Sequence, residues 1–386
     1  MTMAIDALPG DLAEYRLALR VWLEEHRAEL LPDEPAADHE ESFMNAFALS
    51  RAMWQAGWKR AGWPEQVGGL GGGDTYRATY YDEISRAGFE LPDTDFSLEV
   101  IGPAMIHFAP HVAEQYFSKY LACEEIWGQA FSEPDAGSDL ASLRTKGVIE
   151  GDEVIVDGQK VWTSHGQLAK RFLTLVRTGT TESRHRGITA LLIDTDSPGL
   201  ERNALVFASG IEEMCESFYD GVRVPLDRMI GGEGDGWKVA MHMLQYERSM
   251  YAAQRQALLG LRLRQLTEAL EYYGVEETAA SAIGTAWLYI QQVRARAIVS
   301  VRRLEAGETL GPEASADKIL LARAEQALYE VARHMPRSAF VFADGTEKWR
   351  AAWWYSRATS IFGGAGEIQR SIVADRVLQL PSETVG

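Results

Sequence analysis

Glu247 is the acid in this sequence whose surroundings point most directly to proton chemistry. Ala240, Met243, Leu244, Met250, Tyr251 and Gln254 recur at helical intervals and mark one mainly apolar face, and Glu247 falls on that face within Tyr246-Glu247-Arg248. A carboxylate carried into a core costs several kcal/mol unless it is paired or protonated, and burial raises its pKa. A raised pKa suits a general base that must later release its proton. The competing reading is a structural glutamate paired with Arg255 or Arg262 of another turn. Other acids fit chemistry less well. Glu233 and Asp235 lie in a glycine-rich turn open to solvent, and Glu367 opens the last helix, where a carboxylate caps. Ser183-Arg184-His185-Arg186-Gly187 concentrates positive charge on a loop, which suits a phosphate or simply water.

These residues need elements to position them. From Asp11 to about Leu121 the spacing is helical, with Leu12, Tyr15, Leu19, Trp22 and Leu23 on one face. The glycine-rich stretch from Trp63 to Gly73 reads as a surface turn, because it lacks the strand and the spacing of a nucleotide loop. From about Ile126 to Ile230 the period shifts toward two. Glu153–Asp157, Phe172–Val176 and Ile188–Ile193 read as short strands between glycine, aspartate and serine turns. They suggest a small β-barrel or sandwich. After the glycine-rich turn 231–236 the helical period returns over about 237–273, 277–307, 313–336 and 346–360, with a further helix over 367–378. The expected class is α+β multidomain and mainly α: an N-terminal helical domain (1–125), a β domain (126–232) and a C-terminal four-helix bundle (233–386).

Composition removes other functions. The 386 residues hold 38 basic and 56 acidic side chains, a formal charge of -18, which disfavours nucleic acid and anionic membrane surfaces. Cys123 and Cys215 show no disulfide or metal spacing, and no histidine pair at i, i+4 flanks a glutamate. The first residues read as an amphipathic helix and not as a targeting segment, and no apolar run approaches a membrane span. A soluble, cytoplasmic protein is expected.

Four motifs follow one another along this frame. Phe131-Ser132-Glu133-Pro134-Asp135-Ala136-Gly137-Ser138-Asp139-Leu140 comes first, then Gly158-Gln159-Lys160-Val161-Trp162-Thr163-Ser164. Val222-Arg223-Val224-Pro225 leads to Gly231 and Gly236-Trp237, and Phe362-Gly363-Gly364-Ala365-Gly366-Glu367-Ile368-Gln369-Arg370 closes the series. In this order they resemble the acyl-CoA dehydrogenase family over essentially the whole chain. The resemblance implies bound FAD and an acyl-CoA substrate. It implies that Ser132, in the motif opened by Phe131, hydrogen-bonds the flavin ring, that Trp162 packs beside it, and that Ser164 contacts the flavin or its phosphate. Ser138 would lie along the coenzyme A arm. Taken without the resemblance, Trp162 is core and the serines are turn formers.

In most of the family the base directly precedes a Gly-Thr pair in the last motif, where this chain has Gly363. A minority branch, similar to the isovaleryl and long-chain enzymes, carries it in a Glu-Arg pair on the first bundle helix. Tyr246-Glu247-Arg248 matches that place, so the resemblance implies Glu247 as base and Gly363 as spare volume for a branched or bulky acyl group. Tyr246 and Arg248 would neighbour the substrate, and Arg184 and Arg186 would receive the 3′-phosphate of coenzyme A. Two family features are missing. No Arg-x-x-Phe-Gly follows the first bundle helix, and Met335-Pro336-Arg337-Ser338 replaces a glycine-rich stretch. Backbone amides of Gly364, Ala365 and Gly366, with Glu367, would then serve the FAD phosphates or ribose. These losses resemble a bacterial subgroup acting on steroid-type acids, in which two paralogous chains form an α2β2 tetramer. Electron-transfer flavoprotein is the expected acceptor. The alternatives are a homotetramer, a non-catalytic subunit of a heterotetramer, or an oxidase.

Overall fold

The computed structural model describes residues 4–32, 36, 39–275 and 279–381. The first helical region comprises α1 (Leu12–Glu25), α2 (Arg27–Leu30), α3 (His39–Gln55), α4 (Asp74–Arg86), α5 (Thr94–Phe108), α6 (Pro110–Val112) and α7 (Ser118–Leu121). Helix α1 starts where its sequence supplies a capping box. The Asp11 carboxylate accepts from the N–H of Ala13 and Glu14 (2.8 and 3.0 Å), and Glu14 accepts from the N–H of Asp11 (3.1 Å). The expected face is buried at Tyr15, Leu19 and Leu23. The Trp63–Gly73 stretch is more than a surface turn: Trp63 is buried with the Arg77 guanidinium 4.3 Å from its ring centre.

The middle of the chain forms one eight-stranded sheet of β1 (Trp127–Ala130), β2 (Lys146–Glu150), β3 (Glu153–Ser164), β4 (Arg171–Arg177), β5 (Ile188–Asp194), β6 (Leu200–Leu205), β7 (Met214–Pro225) and β8 (Met229–Ile230). The order is β6-β7-β3-β2-β4-β5-β8, with β1 parallel to β4. Strands β4 and β5 are buried on both faces, which is why they read as mainly apolar runs and not as an alternation. Phe172, Val176, Leu191 and Ile193 meet Val154, Val156, Tyr219, Val222 and Val224 in one cluster, so the sheet folds over on itself. Leu173, Leu175, Ala190 and Leu192 pack outward against α5 and the next helix.

The second helical region holds α8 (Gly236–Glu247), α9 (Met250–Tyr273), α10 (Ala279–Glu305), α11 (Ser315–Val331), α12 (Arg337–Phe342), α13 (Glu347–Ala358) and α14 (Gly366–Ile372). One expectation fails here: the helix over 237–273 is two helices. Ser249 has φ -124° and ψ -72°, and its hydroxyl donates to the carbonyl of Gln245 at 2.6 Å. A serine that bonds back to the preceding turn competes with the helix ladder and bends it. The expected start of the second bundle helix at 277 lies outside the described residues. Helices α9, α10 and α11 share a core with α1, α3 and α4, including Tyr15, Leu19, Met53, Leu263, Val293 and Leu328. The two helical regions thus meet each other where α5, α8 and α9 converge, and they meet the sheet through α5 on β1 and α8 on β5.

Candidate active site

Glu247 is the last residue of α8, buried at 8 % exposure. Arg255 pairs with Glu325 and lies 3.5 Å from Asp93, while Arg262 pairs with Glu90 at 2.5 Å. The structural reading of Glu247 as their partner is therefore not met. Gly363 stands opposite, at φ +63°; a Cβ built there would lie closer than 3.0 Å to Glu247 Oε1. The volume expected to be spare at Gly363 is filled by the base candidate itself. Burial lifts the Glu247 carboxyl above its usual pKa, against the opposing charges of Lys318 and Arg248.

Sequence reasoning missed Lys318. It comes from α11, is 5 % exposed, and places Nζ 3.4 Å from the same built Cβ position and 4.6 Å from the Phe362 ring centre. The signal was available: Ala314, Leu321, Leu328 and Val331 are among the buried apolar residues of that stretch, and Lys318 lies on their face. Glu213 was missed as well. Burial, with Asp93 nearby, pushes its carboxyl up to about 8, and Tyr355 hydrogen-bonds it.

The two sheet-domain motifs are locked together. Glu133 accepts from the N–H of Arg144 and Thr145 (2.7 and 2.8 Å) and from Lys160 Nζ (2.8 Å), while Lys160 also donates to the Phe131 carbonyl (3.0 Å). Burial opposes ionisation of Glu133, but these donors hold its carboxyl below the usual range. The Val161 N–H donates to the Ser132 carbonyl at 2.9 Å, which sets Ser132 beside Trp162. The register slips between Lys160 and Thr163, and Trp162 takes φ +65° with its indole 58 % exposed. An exposed indole held by a bulge presents a flat apolar face. Next to it, Thr163 Oγ1 and His165 Nε2 are buried without a hydrogen-bond partner. Ser164 is half-buried at the end of β3, and Ser138 is exposed on the loop after β1.

Arg184 and Arg186 are exposed on the loop between β4 and β5. It borders a cavity of about 500 Å³ lined by Arg144, Lys146, Thr178, Thr180, Thr181 and Glu182. His185 lies 5.9 Å from the Trp237 ring, so the loop touches the first turn of α8. Arg248 is half-buried beside Glu247 with Nε buried and unpartnered, and Tyr246 is half-buried one residue before it. Gly364 has φ +95° and packs against Gln369, whose Oε1 is also buried and unpartnered. Ala365 precedes α14, which has no side-chain cap; Glu367 faces outward 4.0 Å from Arg370, so the capping expected of it is not made.

These features fit a flavin. A flat polar-edged ring needs an aromatic face, offered by Trp162, and edge partners, offered by the Ser132 hydroxyl and the orphaned Thr163 and His165 atoms. Among the described residues no cluster could hold a metal ion, and no helix is long and apolar enough to cross a membrane.

Comparison with known proteins agrees with this geometry. Models of the acyl-CoA dehydrogenase N-terminal, middle and C-terminal domains match residues 14–125, 128–222 and 234–378. Acyl-CoA dehydrogenase IpdE1 of Mycobacterium tuberculosis is 33% identical over 393 residues, covering 97% of this chain and 100% of the relative. Mitochondrial isovaleryl-CoA dehydrogenase of Pongo abelii is 28% identical over 73% of this chain and 66% of its own length. Among solved structures, the ChsE4-ChsE5 complex of M. tuberculosis superposes with a TM-score of 0.74 at 26% identity, covering 95% of this chain and 98% of that one. A steroid acyl-CoA dehydrogenase, Tcur3481-Tcur3483, shares the fold with a TM-score of 0.77 at 23% identity, covering 96% and 98%. With three domain models in order and a relative matched over its full length, the chain belongs to the acyl-CoA dehydrogenase family.

Proposed function

We propose that the chain carries out FAD-dependent α,β-dehydrogenation of an acyl-CoA thioester, with Glu247 taking the α proton. The observation that carries this reading is a buried carboxylate, unpaired by its neighbouring arginines, facing a glycine at the position where most of the family keeps its base. Bound FAD supplies the acceptor for the hydride leaving the β carbon. Phe131, Ser132, Trp162 and Ser164 hold the ring, and the backbone at Gly364 and Ala365, with Glu367, serves the phosphate and ribose end. Ser138 lies along the coenzyme A arm, Tyr246, Arg248 and Gly363 neighbour the substrate, and Arg184 and Arg186 receive the 3′-phosphate. Burial of Glu247 excludes water from the carboxylate and raises its proton affinity to suit reversible transfer. The acyl group proposed is branched or bulky, supported by a base on α8 and no longer by room at Gly363. Electron-transfer flavoprotein is the proposed acceptor.

A second reading makes the chain one half of an α2β2 enzyme that holds flavin only with a paralogous partner. Exposed Phe342, Trp354, Ile361, Leu378 and Leu380 in the last helical region favour an assembly of some kind. The visible spectrum decides. The purified chain should carry flavin that bleaches on addition of acyl-CoA, and Glu247→Gln should keep the flavin while slowing bleaching about 10²–10⁴-fold. Undiminished bleaching would remove Glu247 from the mechanism. Flavin present only after co-expression with a partner chain would establish the heteromeric reading.

A further inference from the structure

We propose that Lys318 is a positioning residue for the base, a buried counter-charge that keeps Glu247 ionised without clamping it. The inference rests on Glu247 as the proton acceptor and concerns what makes it competent.

The geometry is specific. Lys318 and Glu247 reach from different helices, α11 and α8, into the space over Gly363, where one built Cβ meets both Oε1 and Nζ. The lysine makes no ion pair within 4.0 Å and no hydrogen bond among the described residues; its ammonium rests on the Phe362 ring instead. A direct bridge would occupy the carboxylate oxygens and weaken the base. A cation set back from them stabilises the charge through space and leaves an oxygen free for the proton. When Glu247 accepts a proton, the pair passes from neutral to positively charged. The lysine therefore also favours release of that proton after turnover.

Other charges do not supply the same effect. Arg248 belongs to the end of the same helix and is half-buried, and Tyr251 from α9 contributes a phenol whose own ionisation burial suppresses. Around Lys318 the remaining charged groups are Arg255 and Glu325, which pair with each other and so largely cancel at the ammonium. Burial lowers the Lys318 pKa and the Glu247 charge opposes that fall, while the Glu247 carboxyl feels the converse.

The test is the pH dependence of flavin reduction by acyl-CoA, followed by stopped flow in the flavin-loaded protein. Lys318→Met should move the acidic limb upward by about a pH unit or more, with a loss of roughly tenfold near neutrality that recovers at higher pH. Acyl-CoA affinity should change little, and Lys318→Arg should keep most of the parent profile. If Lys318→Met does not accumulate folded, Lys318→Gln is read the same way. An unshifted limb, or a loss equal at every pH, overturns the proposal. Glu247→Gln, run in parallel, separates the two claims. If it still reduces flavin, the base assignment itself fails; if it is inactive while the lysine variants are unshifted, only the role of Lys318 fails.

Discussion

Glu247 and Gly363 compete for one small volume, and a glycine at 363 is what lets the carboxylate occupy it. Gly363→Ala would add a methyl closer than 3.0 Å to Oε1 on a backbone at φ +63°. The left-handed backbone costs about 1–2 kcal/mol for an alanine, and the methyl pushes the carboxylate aside. Flavin reduction should fall at least about tenfold by stopped flow, while flavin content stays the same. Unaltered reduction would mean that the carboxylate has another seat. Each member was legible in the sequence, an acid on an apolar stripe and a glycine in the last motif, but their contact was not: the sequence reading left Gly363 as spare volume, and only the fold brings Glu247 into it. Lys318 obeys the same periodic rule, yet Asp317 beside it makes the pair resemble an exposed charged turn. Only the fold shows Asp317 turned to Arg296 and Ser300 while Lys318 points to Glu247.

Among elements, the break after Glu247 matters most. The α8 and α9 stretch keeps one apolar period throughout, so the sequence reads as a single helix; the interruption depends on one hydroxyl choosing a carbonyl. That hydroxyl places Glu247 at a helix end, where the nearby carbonyl dipoles further disfavour its charge. Ser249→Ala removes the bond to Gln245 and lets the helix straighten. Stability should change by no more than about 1 kcal/mol by thermal denaturation. The reduction rate should fall roughly tenfold to a hundredfold through misplacement of the carboxylate. A rate equal to the parent's would show that the bend is held by packing alone. The strands were easier to read, because β4 and β5 are buried on both faces and carry mainly apolar runs broken only by Thr174 and Thr189. The bulge at Trp162 was not, since a positive φ at a tryptophan leaves no mark on composition.

Across the whole molecule, a polyanionic carrier must approach a protein of formal charge -18. The loop with Arg184 and Arg186 offers a local reversal of that field beside a cavity of about 500 Å³. Replacing both arginines by glutamine should raise KM for acyl-CoA roughly threefold to tenfold. The same replacement should leave unchanged the turnover of an acyl thioester of N-acetylcysteamine, which has no phosphates. Equal effects on both substrates would place the phosphates elsewhere. The contact of His185 with Trp237 ties that loop to the first turn of α8, and Glu247 ends the same helix, about 15 Å further on. With Glu247 as the proposed base and this loop as the proposed phosphate site, helix α8 becomes a caliper spanning carrier and proton. Substitutions along its outer face leave the span intact, but one residue inserted or deleted would swing Glu247 by about 100° off its face. Its residue count is under tighter constraint than its composition.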